Sequence, residues 1–292
     1  MSKSIARCDA CDSIMSVGIE DWHLVCHNCG FERSTLSPKI NELDSIDEME
    51  RERALKPIRD HNFDALLGWL RACVRVRAEA SERPKLLDVG CAHGWFTEKA
   101  MAQYDVLGLE PDNAIASSTQ QRNLPVRKGY FPAALDTWEK FDVIVFNDVL
   151  EHIPDVKSVL KECAARSPDD GIVVINAPDR RGLFYRLSKL FATAGRTGAF
   201  HRMWQVGLPS PHLYYFDSES MEKIAAASGF RVMAHRSLPS VLTNGLYERI
   251  HYASDASRMR SFTIAAGVFL LIPFLKIFHS DISVWVLEKR DA

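Results

Sequence analysis

The sequence predicts an α/β fold in which helices cover both faces of a seven-stranded, mostly parallel sheet, with a small cysteine-bearing module in front. Residues 85–100, KLLDVGCAHGWFTEKA, contain an apolar strand, a glycine-containing turn and the start of a helix. Apolar runs and helical patterns then alternate along the chain, which is typical of a parallel sheet with crossover helices. Two Cys-x-x-C pairs near the N-terminus predict a separate small module.

The bulk composition is that of a globular protein. The 292 residues are 47% hydrophobic and 25% charged, which is enough to bury one large domain. The net charge of −2 provides no general attraction to nucleic acid, so a nucleic-acid partner is unlikely on this ground. Residues 1–11 lack an apolar signal region, and no later run reaches the roughly 18 apolar residues of a membrane span. We therefore expect a cytoplasmic protein with reduced thiols.

Residues 1–34 are predicted to form a zinc ribbon. Two Cys-x-x-C knuckles, separated by a strand-turn-strand pattern, can direct four thiolates at one tetrahedral ion. The predicted ligands are Cys8, Cys11, Cys26 and Cys29. Four thiolates complete the coordination of zinc, so the metal is expected to be structural, and His23 and His27 are expected to face solvent. We expect the ribbon to have a core of its own.

The next segment, residues 35–60, is polar and rich in charge, and it predicts a linker that ends in a solvated helix. Residues 61–292 are predicted to form the main domain. Its first helix is amphipathic, with apolar residues at helical spacing. These residues are Phe63, Leu66, Leu67, Leu70 and Val74.

Two successive strand ends predict a nucleoside site. Asp88 ends the first strand as a candidate acceptor, and Gly90 allows the backbone to approach a ligand. Gly94 is expected to let the helix start lie against the strand. The second run, YDVLGLEPD at 104–112, ends in Glu110, which is placed to accept hydrogen bonds from both hydroxyls of a ribose.

The loop after the first strand resembles motif I of the class I S-adenosylmethionine (SAM)-dependent methyltransferases. The run FDVIVFNDVLEHIPD at 141–155 resembles the fourth-strand motif of that family, especially of quinone-biosynthesis and related small-molecule O-methyltransferases. The resemblance implies a Rossmann-like sheet and SAM as cofactor. It implies these cofactor-binding residues: Asp88, Gly90, Cys91, Ala92, Gly94, Glu110, Pro111, Gly129, Tyr130, Phe131, Asn147 and Asp148. Tyr130 and Phe131 are equally compatible with a role in the core.

Methyl transfer to a hydroxyl requires a proton acceptor, and a histidine is the natural one. His152, just beyond the fourth strand, is the first candidate, and His212 is the second. Either histidine could instead be structural or bind substrate. We therefore predict SAM-dependent methyl transfer to an oxygen or carbon of a small-molecule, sugar or lipid-linked glycan acceptor. Similar ribbon-bearing chains also include a ribosomal RNA guanine methyltransferase, and a catalytically silent scaffold is the third reading.

The remaining elements follow from caps and apolar runs. Asp155 is predicted to cap a helix, and DDGIVVINAPD predicts the next strand. Asp217 and Ser218 should begin a helix that stops at Gly229, and FRVMAHR and DISVWVLEKR predict the last two strands.

Two insertions are expected, at about 180–212 and 240–278. The stretch 180–202 has no acidic residue and is rich in arginine, and 262–278 is an apolar run that is uncharged up to Lys276 and has Pro273 inside. The second run is expected to be either a buried helix or an in-plane membrane segment. Together the two segments predict peripheral contact with the inner membrane surface.

Overall fold

A computed structural model describes residues 6–42, 48–73, 83–253, 258–275 and 277–290 of the chain. The strands are β1 Ser16–Val17, β2 His23–Val25, β3 Glu32–Ser34, β4 Lys85–Val89, β5 Asp105–Glu110, β6 Val126–Lys128, β7 Val143–Asn147, β8 Ile172–Pro178, β9 Tyr214–Tyr215, β10 Phe230–Leu238 and β11 Ile282–Lys289. The helices are α1 Glu48–Cys73, α2 Trp95–Ala100, α3 Asn113–Gln121, α4 Val156–Arg166, α5 Leu183–Thr193, α6 Gly198–Met203, α7 Ser218–Ala227, α8 Leu246–Ala253 and α9 Arg258–Leu275, with a 3-10 turn at Leu150–His152.

Seven strands form the main sheet in the order β10-β11-β8-β7-β4-β5-β6. β4 is parallel to both neighbours, β5 and β7, while β11 is antiparallel to both β8 and β10. The predicted α/β class and the mostly parallel seven-stranded sheet are confirmed. Because the order reverses direction at β4, the carboxyl ends of β4, β5 and β7 open on a crevice, the usual place for a ligand in such sheets.

Both faces of the sheet are buried, which explains the continuous apolar runs of its strands. Along β7, Val143 and Val145 face the layer of α1 and α2, while Ile144 and Phe146 face the layer of α4 and α7. The predicted caps are present: the Asp155 side chain accepts from the backbone of Ser158, and Asp217 accepts from the backbone of Ser220.

The expected separate core of the ribbon is wrong. β3 pairs with β9 of the main domain, so the ribbon strands and β9 form one four-stranded sheet. Cys26 and Phe31 of the ribbon belong to the same buried cluster as Phe146 and Val156. The ribbon is therefore an integral layer of the domain, because its small apolar surface is completed by the main sheet's own helices and strands.

The boundary between a solvated linker helix and the domain also differs from the prediction. Helix α1 is continuous from Glu48 through Cys73, with Pro57 inside it, so one helix crosses position 60. Its second half buries Phe63, Leu66, Leu67 and Leu70 against the sheet as expected. Val74 lies outside the described residues.

The first insertion is a folded layer on the ribbon. Phe200 and Trp204 of this layer are fully buried and pack on Trp22 of the ribbon, with ring centroids 5.7 and 5.6 Å apart. His23, expected in solvent, is fully buried here and donates to Glu32, whereas His27 is exposed as expected. The long-range contacts of Trp22 and His23 with α6 carry no local sequence signal.

In the second insertion, α8 packs on α1, and α9 packs on α8. Ser261 and Ala265 of α9 are buried, but the helix exposes large apolar side chains elsewhere. These are Met259, Phe262, Ile264, Phe269, Leu270 and Leu271. The expectation that this segment forms a buried helix is therefore wrong for most of the α9 surface. In the described part of the chain, no helix is long and apolar enough to cross a membrane.

Candidate functional site

The loop between β4 and α2 is shaped by three residues with positive φ. Gly90, Ala92 and Gly94 have φ of 68°, 46° and 71°. A Cβ at Gly90 would lie 2.7 Å from Val149, in the loop after β7. A Cβ at Gly94 would lie 2.7 Å from Leu124. Gly94 thus makes room for the segment after α3, and not for the strand as predicted. The loop turns its backbone into the crevice at the carboxyl end of β4.

Glu110 ties this loop to the end of β5. Its two carboxylate oxygens accept from the backbone N–H groups of Ala92 and Asp112, each at 2.8 Å. A carboxylate oxygen can accept more than one hydrogen bond, so a carboxylate held in this way is suited to accept from a ligand hydroxyl. Glu110 is buried, and its geometry is set by the protein before any ligand arrives.

Asp88 lies beneath the loop and is almost fully buried. Thr97 of α2 donates its hydroxyl hydrogen to the Asp88 carboxylate at 2.7 Å. Burial raises the pKa of Asp88 to about 7, although the bond from Thr97 acts in the opposite direction. Asp88 was predicted as a candidate acceptor at the strand end, and in the structure its carboxyl group accepts from Thr97 of α2.

A narrow pocket opens above this loop. Its lining comes from α1, the β4–α2 loop and the end of β7: Arg59, Phe63, Asp88, Gly90, Cys91, Ala92, His93, Trp95, Phe96, Asn147, Asp148 and Val149. Both amide atoms of Asn147 and Nε2 of His93 are buried without a hydrogen-bond partner among the described residues. Such atoms are expected where a polar ligand completes the site.

Sequence reasoning missed Arg59 and Asn41. Arg59 lies in the charge-dense stretch read as solvated helix, yet it lines the pocket beside Asp88 and Asn147. The Asn41 side chain bonds both the carbonyl of Pro111 and the backbone N–H of Asn113, at 3.0 Å each, next to Glu110. Both residues reach the site through contacts between segments that are distant in the sequence, so no local sequence pattern could have identified them.

The other predicted cofactor residues are divided between the site and the core. Cys91 is buried, and its thiol packs next to Gly108 of β5. Pro111 lies in the loop after β5. Gly129 follows β6, with its N–H bonded to Glu110 O at 3.0 Å. Phe131 packs edge-on against Phe146 in the core, and Tyr130 is 54% exposed.

The two predicted histidines do meet. The ring centroids of His152 and His212 lie 4.8 Å apart, just beyond the end of β7. The Nδ1–H of His152 donates to the carbonyl of Pro211 at 2.9 Å, because a carbonyl can only accept. The amide nitrogen of Gln205 donates to Nε2 of His212 at 2.8 Å. In the neutral state, His152 therefore presents Nε2 as its acceptor, and His212 carries its proton on Nδ1.

Glu151 lies beneath this pair. Its carboxylate oxygen Oε1 is 3.9 Å from Nε2 of His152, and the side chain is almost fully buried. Burial raises the pKa of Glu151 well above its ordinary range, and the charge of Asp148 adds to the effect. Positive charge that arose nearby would act in the opposite direction, because it would favour the ionised carboxylate.

Two groups of side chains have the composition of metal sites. The sulfur atoms of Cys8, Cys11, Cys26 and Cys29 all lie within 4.8 Å of one another, with two pairs at 3.5 Å. A tetrahedral Zn–S bond of about 2.3 Å requires an S–S edge of about 3.8 Å, so the cluster fits a zinc ion. Glu151, His152 and His212 form the second group, also within 4.8 Å.

Comparisons with known proteins agree with this geometry. The family described as "Methyltransferase domain" matches residues 59–235, more than half of the chain. The chain is 26% identical over 186 residues to the mitochondrial ubiquinone biosynthesis O-methyltransferase of Bos taurus, covering 59% of this chain and 47% of that protein. It is 30% identical over 155 residues to the ubiquinone biosynthesis O-methyltransferase of Pseudomonas fluorescens, covering 50% of this chain and 62% of that protein.

Among solved structures, mycolic acid cyclopropane synthase CmaA1, complexed with SAH and CTAB, has a similar fold. The TM-score is 0.55 at 20% identity, with 87% of this chain and 90% of the other covered. The matched curated relatives are covered over about half to two thirds of their length. The family match includes α1 from residue 59 onward, the loop after β4, the crevice and both histidines. The chain therefore belongs to the methyltransferase-domain family.

Proposed function

We propose that this protein transfers the methyl group of SAM to a hydroxyl oxygen of a small-molecule acceptor. The observation that carries the proposal is the histidine pair with Glu151, placed immediately after the strand whose end lines the nucleoside crevice. The relatives named O-methyltransferases support oxygen as the acceptor atom.

The pocket residues fit SAM. Glu110 is fixed to accept from the ribose hydroxyls, and the amide of Asn147 and the imidazole of His93 offer polar atoms that need a partner. Arg59 provides a cation in the lining of the pocket, suited to a carboxylate of the amino-acid part. Trp95 and Phe96 of the same lining offer apolar surface.

SAM, when bound, supplies a methyl group on a sulfonium, so the leaving group needs no protonation. The protein must therefore hold the acceptor in line and remove the proton of its hydroxyl. His152 is better suited than His212 as the base, because its Nδ1–H is held by Pro211 and its Nε2 is the accepting nitrogen. The proton would move from the acceptor hydroxyl to Nε2, 3.9 Å from Oε1 of Glu151, and the ionised form of this carboxyl group would stabilise the resulting imidazolium.

The four cysteines are proposed to bind one structural zinc. All four are free, three of them are buried, and their spacing matches tetrahedral coordination. No fifth ligand is needed, so the zinc would stabilise the ribbon and take no part in the reaction itself.

We further propose an acceptor with a lipid chain that is met at an anionic membrane surface. Helix α9 exposes six large apolar side chains, including Met259 at 81%, Leu270 at 70% and Phe262 at 66%. Helix α5 exposes Leu190 and Phe191, and its start is bonded to the segment after α9 through Leu183 N–H and His279 O. Such in-plane apolar surfaces suit a membrane interface.

The cations available for this contact are fewer than predicted. Arg180 pairs with Asp217, Arg181 with Asp179, and Lys189 with Glu32. The exposed cations of the first insertion are Arg186, Arg196 and Arg202. Neutralising Arg180 and Arg181 would thus disturb internal ion pairs, and tests of lipid contact should use the exposed arginines.

The activity can be tested with tritiated SAM. The purified protein would be incubated with dihydroxybenzoates, with and without a polyprenyl chain, with nucleotide sugars and with ribosomal RNA. We expect label on the oxygen of a phenolic acceptor, with the prenylated form preferred, and labelling slower by roughly 10²-fold when His152 is replaced by alanine. Label on RNA would favour the base-methyltransferase alternative. SAM binding without label on any acceptor would favour a silent scaffold.

A further inference from the structure

The segment 211–216, which contains His212 and β9, lies between the ribbon and the turn that carries Glu151 and His152. On the ribbon side, β3 pairs with β9, with Glu32 opposite Tyr215 and Arg33 opposite Tyr214. Ser34 extends this pairing by two bonds. Its N–H donates to Leu213 O at 2.9 Å, and its hydroxyl donates to His212 O at 2.7 Å. Ser34 is buried, so these bonds form without competing water.

On the other side, the same segment holds the catalytic turn. The N–H of Leu213 donates to Glu151 O at 2.6 Å, and Nδ1–H of His152 donates to Pro211 O at 2.9 Å. The backbone of residues 211–213 is therefore shared between the ribbon and the turn that carries Glu151 and His152. A displacement of this backbone would move both histidines relative to each other.

The cysteine cluster controls where β3 begins. Within the second knuckle, Gly30 N–H donates to Cys26 O at 2.7 Å, and Cys26 N–H donates to Phe31 O at 2.9 Å. Phe31, the next residue, is fully buried and stacks on Tyr214 with ring centroids 5.9 Å apart. An ion bound by Cys26 and Cys29 would therefore fix the start of β3, only a few residues before Ser34.

We propose that the ribbon supports the part of the site that binds the acceptor, next to His152 and His212. In this proposal Ser34 is a positioning residue for His212. Zinc at the four cysteines would hold β3, and β3 would hold the 211–213 backbone against Glu151 and His152. The proposal depends on the proposed function only for the role of the two histidines. The Glu110 carboxylate accepts from the backbone of Ala92 and Asp112, and neither bond involves β3 or residues 211–213, so SAM binding should be insensitive to a displacement of β3.

The first test uses Ser34→Ala in the zinc-loaded full chain. Zinc content and the affinity for SAM, measured by calorimetry, should stay within about twofold of the wild type. Amide hydrogen exchange at Leu213 should rise about fivefold or more, because the lost bond from the Ser34 hydroxyl held the His212 carbonyl, which belongs to the same peptide unit as the Leu213 N–H. The carbon-bound imidazole resonances of His212 and His152 should shift in NMR spectra. Ser16→Ala, which removes a hydroxyl bonded to His27 on the exposed side of the ribbon, should change none of these.

The second test removes the metal from the wild type with a chelator. It tests the same proposal without a mutation, so it can be used if Ser34→Ala fails to fold. Exchange at Leu213 and the two histidine signals should change as in the variant, while SAM still binds. Unchanged exchange and unchanged imidazole signals in either test would overturn the proposal, as would a parallel loss of SAM affinity. These measurements need no methyl transfer, so an inactive protein that shows them would contradict the proposed function alone.

Discussion

The Glu32 carboxylate of the ribbon accepts the hydroxyl hydrogen of Tyr185 at 2.6 Å, across 153 positions of sequence. The same carboxylate accepts from His23 at 2.9 Å and from Lys189 at 2.7 Å. Burial alone would raise the pKa of Glu32, but the bond from His23 and the charge of Lys189 outweigh it and lower the pKa to about 2. One buried anion therefore joins the ribbon to α5.

Glu32→Gln should destabilise the folded protein at neutral pH by ~3 kcal/mol, which corresponds to the shift of the pKa from 4.5 to about 2. Because the folded-state pKa is depressed, this stabilisation is present above about pH 4.5 and is lost as pH falls toward 2. Denaturant unfolding of wild type and variant, repeated between pH 7 and pH 3, measures the difference. Glu219→Gln, in an exposed pair with Lys223, is the matched control and should cost far less. A difference in stability that stays constant down to pH 3 would refute the linkage.

Gly90→Ala should weaken SAM binding by tenfold or more. Alanine at position 90 would have to adopt φ near 68°, which is unfavourable for a residue with a side chain. Its Cβ would also lie 2.7 Å from Val149, so the loop backbone has to move. Gly68→Ala is the control, because it lies in helix α1 with open space around the added Cβ. Titration calorimetry with SAM on both variants checks the expectation, and equal affinities would show that the loop does not bind the cofactor.

Arg59→Ala should also lower the affinity for SAM, by about tenfold, because a charge-assisted hydrogen bond to a carboxylate is lost. Arg71→Ala removes an exposed arginine from the same helix, bonded to Gln103, and should leave the affinity unchanged. A ligand that lacks the carboxylate should bind both variants and the wild type equally. If Arg59→Ala discriminated against that ligand as strongly as against SAM, Arg59 would have another role.

The sequence predicted the part of the structure that local patterns encode. The strand and turn around Asp88 and Gly90, the cap at Asp155 and the proximity of His152 to the end of β7 follow from short-range spacing. The contact between His152 and His212 was not predicted, because it joins two segments that are distant in the sequence. The burial of His23 and the position of Arg59 depend in the same way on contacts between distant segments.

His152→Ala should reduce the rate of methyl transfer by roughly 10²-fold and leave SAM affinity within a factor of about two. His152 uses Nδ1 to bond Pro211, so Nε2 is the nitrogen that can accept a proton. Its side chain is not among those that line the pocket above the β4–α2 loop, so its loss should not disturb SAM. Single-turnover rates with a labelled phenolic acceptor, compared with SAM calorimetry, separate the two effects. His201→Ala, which removes a partly exposed histidine paired with Glu20, serves as control. A near-normal rate for His152→Ala would move the role of base to His212 or remove it.

The last prediction concerns the exposed face of α9. Burying Phe262 and Leu270 in a bilayer interface would remove apolar surface from water, whereas serine at both positions would have little to bury. The double variant Phe262→Ser, Leu270→Ser should therefore float poorly with vesicles that contain an anionic lipid, and the wild type should float well at low salt. Trp138→Ser, which changes an equally exposed aromatic residue outside α5 and α9, should float like the wild type. Arg186→Gln should weaken flotation only at low salt, because screening removes the electrostatic part of the attraction. Wild-type protein that stayed unbound at every lipid composition would leave a water-soluble phenolic acceptor as the better account.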